Sequence, residues 1–195
     1  MIEALILQCA VADAPPAIIR EIIEVESVNN PNAINVNKLL NPDLPSTEDV
    51  KLLAAFVDKK IEAGFSVDVG YMQVNSANFE TYDLDTVTAF DPCTNIAVGS
   101  EIFMKAYRPA IAFYGKTEKA KQTALSAYNT GTFHRGFNNG YVARYDEAPA
   151  NTNAGAGETP APVQGVTNPN ASQMRVNVTF GPTHKVQEQS PDPQE

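Results

Sequence analysis

Apolar residues recur at intervals of three and four from Val11 to about Tyr145, and past Ala148 the recurrence stops. A period near 3.6 marks amphipathic helices that share one core. A chain patterned this way for most of its length is expected to fold as a mainly α domain. The break sets a boundary, with residues 1–147 forming the domain and residues 148–195 a flexible tail. Seven of the 14 prolines fall between Pro149 and Pro193, among Asn, Thr, Gly and Gln. That composition buries too little surface to offset its ordering entropy, and disorder is expected. Within it Met174, Val176, Val178 and Phe180 alternate with Arg175, Asn177 and Thr179. The period of two predicts a weakly ordered apolar patch or a small β element.

The spacing predicts a first helix that starts after Asp13, carries Pro15 and Pro16 in its first turn, and runs to about Ser27. Asn29 to Pro45, rich in Asn and Pro, reads as loop. A second helix spans about Glu48 to Ala63 behind Ser46 and Thr47 as caps. Phe65 to Phe79 reads as a turn followed by a short helix. Asp91-Pro92 predicts an N-cap and first turn of a helix that buries Ile96, Ile102, Phe103 and Ala106. A last core helix covers about Glu118 to Asn129 and ends near Gly131. No internal repeat is visible.

Charge narrows the partners. The net charge is -9 and the pI about 4.7, so the chain gains nothing from a phosphate backbone and nucleic acid is excluded. An uncharged glycan can still be bound through hydrogen bonds and aromatic faces. No window approaches the roughly 18 apolar residues of a transmembrane helix. Met1 to Ala10 carries Glu3 and no positive n-region, so it does not read as a signal peptide. Cys9 and Cys93 allow one intramolecular bridge, worth on the order of 4–5 kcal/mol in the chain-entropy argument; composition leaves the bridge and two free thiols equally open. The cysteines and the scattered His134 and His184 show no metal-ligand spacing, and no metal site is expected.

One carboxylate sits on an unexpected face. On the first helix Ile18, Ile19, Ile22, Ile23 and Val25 define an apolar arc. Arg20, Glu21 and Glu24 fall outside it or at its edge. Glu26 lies four residues after Ile22, three after Ile23 and seven after Ile19, within the stripe. A carboxylate turned toward a core is costly when ionised, so its pKa should rise, as a general acid near neutral pH requires. The same position also suits a fraying residue at a helix end or a Glu bonded to a neighbouring helix.

Further motifs give that position a context. Glu26-Ser27 followed by Asn30-Pro31 is similar to the E-S-x-x-N-P segment of lytic transglycosylases of the lysozyme-like superfamily, where the catalytic glutamate lies. Gly70-Tyr71-Met72-Gln73-Val74-Asn75 resembles that family's G-L-M-Q-[IV]-N motif. Ala127-Tyr128-Asn129-Thr130-Gly131 resembles its A-Y-N-A-G motif, and Tyr141-Val142 the Y-V that follows. Four such motifs stand in order across residues 26–142, and the resemblance covers about Ile6 to Tyr145. Asp68-Val69, Asp91-Pro92-Cys93 with Asn95, and the early cysteine resemble the subgroup associated with type IV secretion systems. Tyr71 in place of Leu and Thr130 in place of Ala depart from the pattern without removing a polar group.

The resemblance implies a lysozyme-like helical domain, export to the periplasm, and with that oxidising compartment a Cys9–Cys93 disulfide. It implies cleavage of the β-1,4 bond between N-acetylmuramic acid and N-acetylglucosamine, with Glu26 as acid and then base. Ser27, Met72, Gln73, Tyr128, Asn129 and Tyr141 would line the cleft. No metal or organic cofactor is called for. The expected partners are peptidoglycan glycan strands, with secretion components recruited through the tail. Most glycosidases use a second carboxylate. Asp68 is the best candidate by closeness to a motif, but the related subgroup carries the same acid without that role, so a turn or cap residue is the favoured reading and a single-carboxylate site fits the transglycosylase route. A hydrolytic lysozyme of the same fold, or a glycan-binding scaffold acting through the tail, are the alternative readings.

Overall fold

The computed structural model describes residues 2–146. The 148–195 tail and its alternating Met174–Phe180 segment therefore lie outside the described residues. Those described form a mainly α domain, as the periodicity predicts, together with one small sheet.

Helix α1, Ile2–Cys9, precedes the segment in which the period was legible; it buries Ile6 and Cys9 against α2 and α4. Helix α2, Pro16–Ser27, has Pro15 as its extended N-cap, since a proline at the first turn forfeits only an N–H that has no helical partner there. Ile19, Ile22 and Ile23 are fully buried. The helix stops abruptly at Val28 and Asn29, both left-handed, with φ of 52° and 60°.

The segment expected to be loop contains strand β1, Ile34–Val36. The segment expected to turn and enter a short helix is a hairpin instead, β2 Val67–Val69 and β3 Val74–Asn75, followed by a single 3₁₀ turn at Ser76–Asn78. Strands of two or three residues are too short to show a period of two, which is why the sequence hid them. The order is β1-β2-β3, antiparallel throughout. Asn35 faces Asp68, which faces Asn75, so one row across the sheet is polar. Val36, Val67, Val69 and Val74 are buried with Leu53 and Val57 of α3, Val50–Glu62. The cap of α3 is Asp49, whose carboxylate accepts from Lys51 N–H at 2.9 Å, two residues beyond the Ser46 and Thr47 expected from sequence.

Helix α4, Pro92–Tyr114, opens at Asp91, which accepts from Thr94 N–H at 2.8 Å. It serves two hydrophobic clusters: Ile96, Phe103, Met104 and Ala106 join α1, α2 and α5, while Ile102 and Val98 join the sheet and α3. Helix α5, Glu118–Thr130, packs along α4 and ends at Gly131. The single-turn helices α6, Arg135–Asn138, and α7, Ala143–Asp146, close the domain beside α5 and α2. Cys9 and Cys93 are disulfide-bonded, tying the end of α1 to the first turn of α4 across 84 residues. No helix among the described residues is long and apolar enough to cross a membrane.

Candidate active site

Glu26 stands in the last turn of α2, partly buried rather than wholly inside the stripe. The Tyr141 hydroxyl donates to its Oε1. Tyr141 and Tyr145 are themselves joined hydroxyl to hydroxyl at 2.7 Å, and both are buried. Arg144, between them in sequence, donates from Nη2 to the Val25 carbonyl at 2.6 Å and lies 5.5 Å over the Tyr141 ring. These contacts dock α7 on the end of α2 and close one side around the carboxyl.

Burial pushes the Glu26 carboxyl above its ordinary value, and it is the largest influence. The Tyr141 hydrogen bond and the Arg144 cation pull the other way, while the Asp68 charge adds to the rise. The net direction is upward. Tyr128, Tyr141 and Tyr145 are all pushed well above the ordinary phenol value, first by burial and next by the Glu26 charge. All three phenols therefore keep their protons across the neutral range. The arrangement suits a carboxyl that holds a proton near neutrality and can release it to a bound oxygen.

The Gly70–Asn75 motif is a clamped turn. Asn95, 1% exposed, makes three bonds with it and its surroundings: Oδ1 accepts from Met72 N–H at 2.8 Å, and Nδ2 donates to the Val69 and Ala89 carbonyls at 2.9 and 2.8 Å. The Tyr128 hydroxyl donates to the Met72 carbonyl at 2.6 Å. Gly70 has φ +76°, and a Cβ there would stand 2.4 Å from Asn95 Nδ2, so only glycine fits. Gln73 is held left-handed at φ 48°, its Nε2 donating to the Gly70 and Ala33 carbonyls at 2.9 and 3.3 Å. Ala33 also borders a pocket of about 420 Å³ with Asn30, Asn32, Thr47, Glu48 and Leu53.

The expected site residues thus fall into two groups. Glu26 and Tyr141 are in contact; Tyr128 joins them through the charge it feels from Glu26 and through its hold on Met72. The others act differently from a simple lining. Ser27 is buried and donates its hydroxyl to the Ile23 carbonyl in its own helix at 2.9 Å. Met72 is fully buried, so its side chain is core and only its backbone serves the turn. Asn129 is exposed and accepts from Asn139 Nδ2 at 3.0 Å. Tyr145 and Arg144 were not singled out from sequence, although Tyr145 stands one helical turn after Tyr141. Among the described residues no group of three or more His, Cys, Asp or Glu could hold a metal ion.

A half-buried glutamate at a helix end, bonded by a buried tyrosine that is itself paired with a second, defines a candidate glycosidase-type acid in a mainly α domain. The chain belongs to the transglycosylase SLT domain family, which matches residues 10–151. It is 34% identical over 145 residues to the protein virB1 of Agrobacterium fabrum, covering 72% of this chain and 56% of that one. It is also 34% identical over 142 residues to the type IV secretion system protein virB1 of Brucella abortus, covering 70% and 58%. A virB1 protein of Rhizobium radiobacter is 35% identical over 131 residues, covering 65% and 52%. The chain spans little more than half the length of these curated relatives. No solved structure matches it significantly.

Proposed function

We propose that the chain is a peptidoglycan lytic transglycosylase that opens the cell wall locally, in the periplasm, for a type IV secretion apparatus. The observation that carries this reading is the Glu26 carboxyl, raised by burial at the end of α2 and bonded by Tyr141, within a family defined by transglycosylase chemistry. Membership of that family supports the substrate, and likeness to a type IV secretion system protein supports the setting.

A glycosidic oxygen leaves poorly until it is protonated. Glu26 gives its proton to the oxygen between N-acetylmuramic acid and N-acetylglucosamine, and the bond from the anomeric carbon breaks as an oxocarbenium-like centre forms. The Glu26 carboxylate then accepts the proton of the muramic acid C6 hydroxyl, whose oxygen bonds to the anomeric carbon. Glu26 is again protonated, and the product carries a 1,6-anhydro ring with no water consumed. Tyr141 keeps the carboxyl oriented through both proton transfers. Gln73, Asn129 and the pocket beside Ala33 offer groups for the acetamido and hydroxyl functions of neighbouring sugars, while Ser27 and Met72 hold the walls from behind. No cofactor enters.

Clearing of a purified peptidoglycan suspension tests the proposal. The wild-type protein clears it, and Glu26→Gln slows clearing by about 10³-fold or more, the scale of losing the proton donor together with its electrostatic role. Substantial clearing by the variant would contradict the assignment.

A further inference from the structure

Tyr145 brings a hydroxyl to a place where a phenylalanine would fill the same space. It is 5% exposed, in the cluster that holds Ile22 and Ile23 of α2. Tyr141 and Tyr145 stand one helical turn apart, which sets both rings on one side. The turn is closed by Arg144 N–H on the Tyr141 carbonyl at 3.2 Å and Tyr145 N–H on the Val142 carbonyl at 3.1 Å. The ring centroids lie 5.4 Å apart, inclined by 59°, and the hydroxyl oxygens meet at 2.7 Å. Among the described residues the Tyr145 hydroxyl has no other hydrogen-bond partner.

A phenol has one hydrogen to give. That of Tyr141 goes to Glu26 Oε1, so the bond between the two phenols is donated by Tyr145. The three groups form a directed chain, Tyr145 to Tyr141 to Oε1, in which each bond polarises the next. The chain also places the acid's proton. With that proton on Oε2, the two phenol hydrogens fill the two contacts. With it on Oε1, three hydrogens compete for two contacts and one is left without an acceptor in a buried position, which is costly. Tyr145 contributes by occupying the acceptor side of the Tyr141 oxygen, so that Tyr141 meets Glu26 as a donor and as a stronger one. No described residue bonds Oε2, which leaves that oxygen to a substrate.

We propose that Tyr145 is a positioning residue of the reaction: by donating to Tyr141 it holds that hydroxyl as a donor to Glu26 Oε1 and keeps the transferable proton on Oε2. The inference rests on the glycan-cleaving reading above. Tyr145 touches no substrate and moves no proton. Oε2 gives its hydrogen to the leaving glycosidic oxygen and takes one back from the C6 hydroxyl, while both phenols keep their own.

Tyr145→Phe removes one hydroxyl and no charge. The other groups around the acid are Tyr141 and Arg144 at the α7 end, Tyr128 on α5 and the charge of Asp68 on β2, while Glu21 of α2 acts on Tyr145. All of them stay in the variant. The measurement is the pH profile of kcat and KM on purified peptidoglycan for Tyr145→Phe, Tyr141→Phe and the double variant, with melting temperature as the control for folding. Tyr145→Phe is expected to lower kcat by about threefold to fivefold, with KM changed less than about twofold. The alkaline limb, where Glu26 loses its proton, moves to higher pH, by less than it does in Tyr141→Phe. In the double variant kcat and the limb match those of Tyr141→Phe alone, because Tyr145 acts only through Tyr141. An alkaline limb that Tyr145→Phe leaves unmoved overturns the inference. So does a full further loss of kcat in the double variant, which marks a packing role. Should Tyr145→Phe fold poorly, an NMR titration reads the same link without it. The Tyr145 Cζ signal should shift together with the Glu26 carboxyl signal in the wild type and not in Tyr141→Phe; a wild-type signal that stays still overturns the inference. A wild-type protein that releases no product contradicts the glycan-cleaving reading, and the joint titration of Tyr145 and Glu26 tells that failure apart from a failure of the chain.

Discussion

Glu26 ties its proton to the fold, and this has consequences beyond catalysis. Its carboxyl is raised above the ordinary range, so the folded chain binds that proton more tightly than the unfolded chain does. Stability contributed by the proton is present at low pH and declines as pH rises from the ordinary carboxylate range through the raised value. Glu26→Gln removes this decline. Its melting temperature relative to wild type should be higher at pH 7 than at pH 4, and a difference that is equal or reversed would contradict the burial argument. Tyr141→Phe should raise the acid further: without the donated hydrogen bond Glu26 holds its proton more tightly, and the alkaline limb of activity moves to higher pH. The accompanying loss of rate should be about tenfold, the worth of one hydrogen bond to a charged group. Glu26 was legible in the sequence because a helical period exposes any polar residue set on its apolar arc. Tyr145 and Arg144 were not, because a single-turn helix has no period to break.

Elements differ in how much of their fate is written locally. Helices α2, α3, α4 and α5 carry enough turns for their apolar faces to be read, and both ends of α2, α3 and α5 and the start of α4 lie within about two residues of expectation. The sheet was hidden because its strands are two or three residues long, and what holds them is remote: the Asn95 side chain, 26 and 23 residues from the Val69 carbonyl and Met72 N–H it bonds. Asn95→Leu would leave an N–H and two carbonyls buried without their partner. A cost of at least about 2–4 kcal/mol is expected, read from chemical denaturation, because each orphaned buried group costs on the order of 1–3 kcal/mol. A cost below about 1 kcal/mol would mean that the turn is held by other bonds. The junction after α2 points the other way. Val28 is β-branched, exposed and left-handed at φ 52°, so Val28→Gly should stabilise the fold by about 1 kcal/mol.

The whole molecule is organised by α4, which runs through both hydrophobic clusters and is bridged to α1 by Cys9–Cys93. The pairing followed from the resemblance to an exported family; spacing alone left it open. With a sequence separation of 84 between the cysteines, the bridge should contribute about 4–5 kcal/mol, mostly by constraining the unfolded chain. Thiol titration of the denatured, unreduced protein should find no free thiol, and a Cys9→Ser, Cys93→Ser double variant should melt well below wild type. Removal of residues 149–195 should leave glycan cleavage unchanged, since every group assigned to the site lies before that boundary; lost activity would place part of the site in the tail. The most direct test of the central claim is mass spectrometry of the muropeptides released from purified peptidoglycan, with Glu26→Gln alongside. The account predicts products one water lighter than reducing-end muropeptides, absent with the variant. Products ending in reducing sugars would contradict it, showing that water rather than the C6 hydroxyl attacks the anomeric carbon.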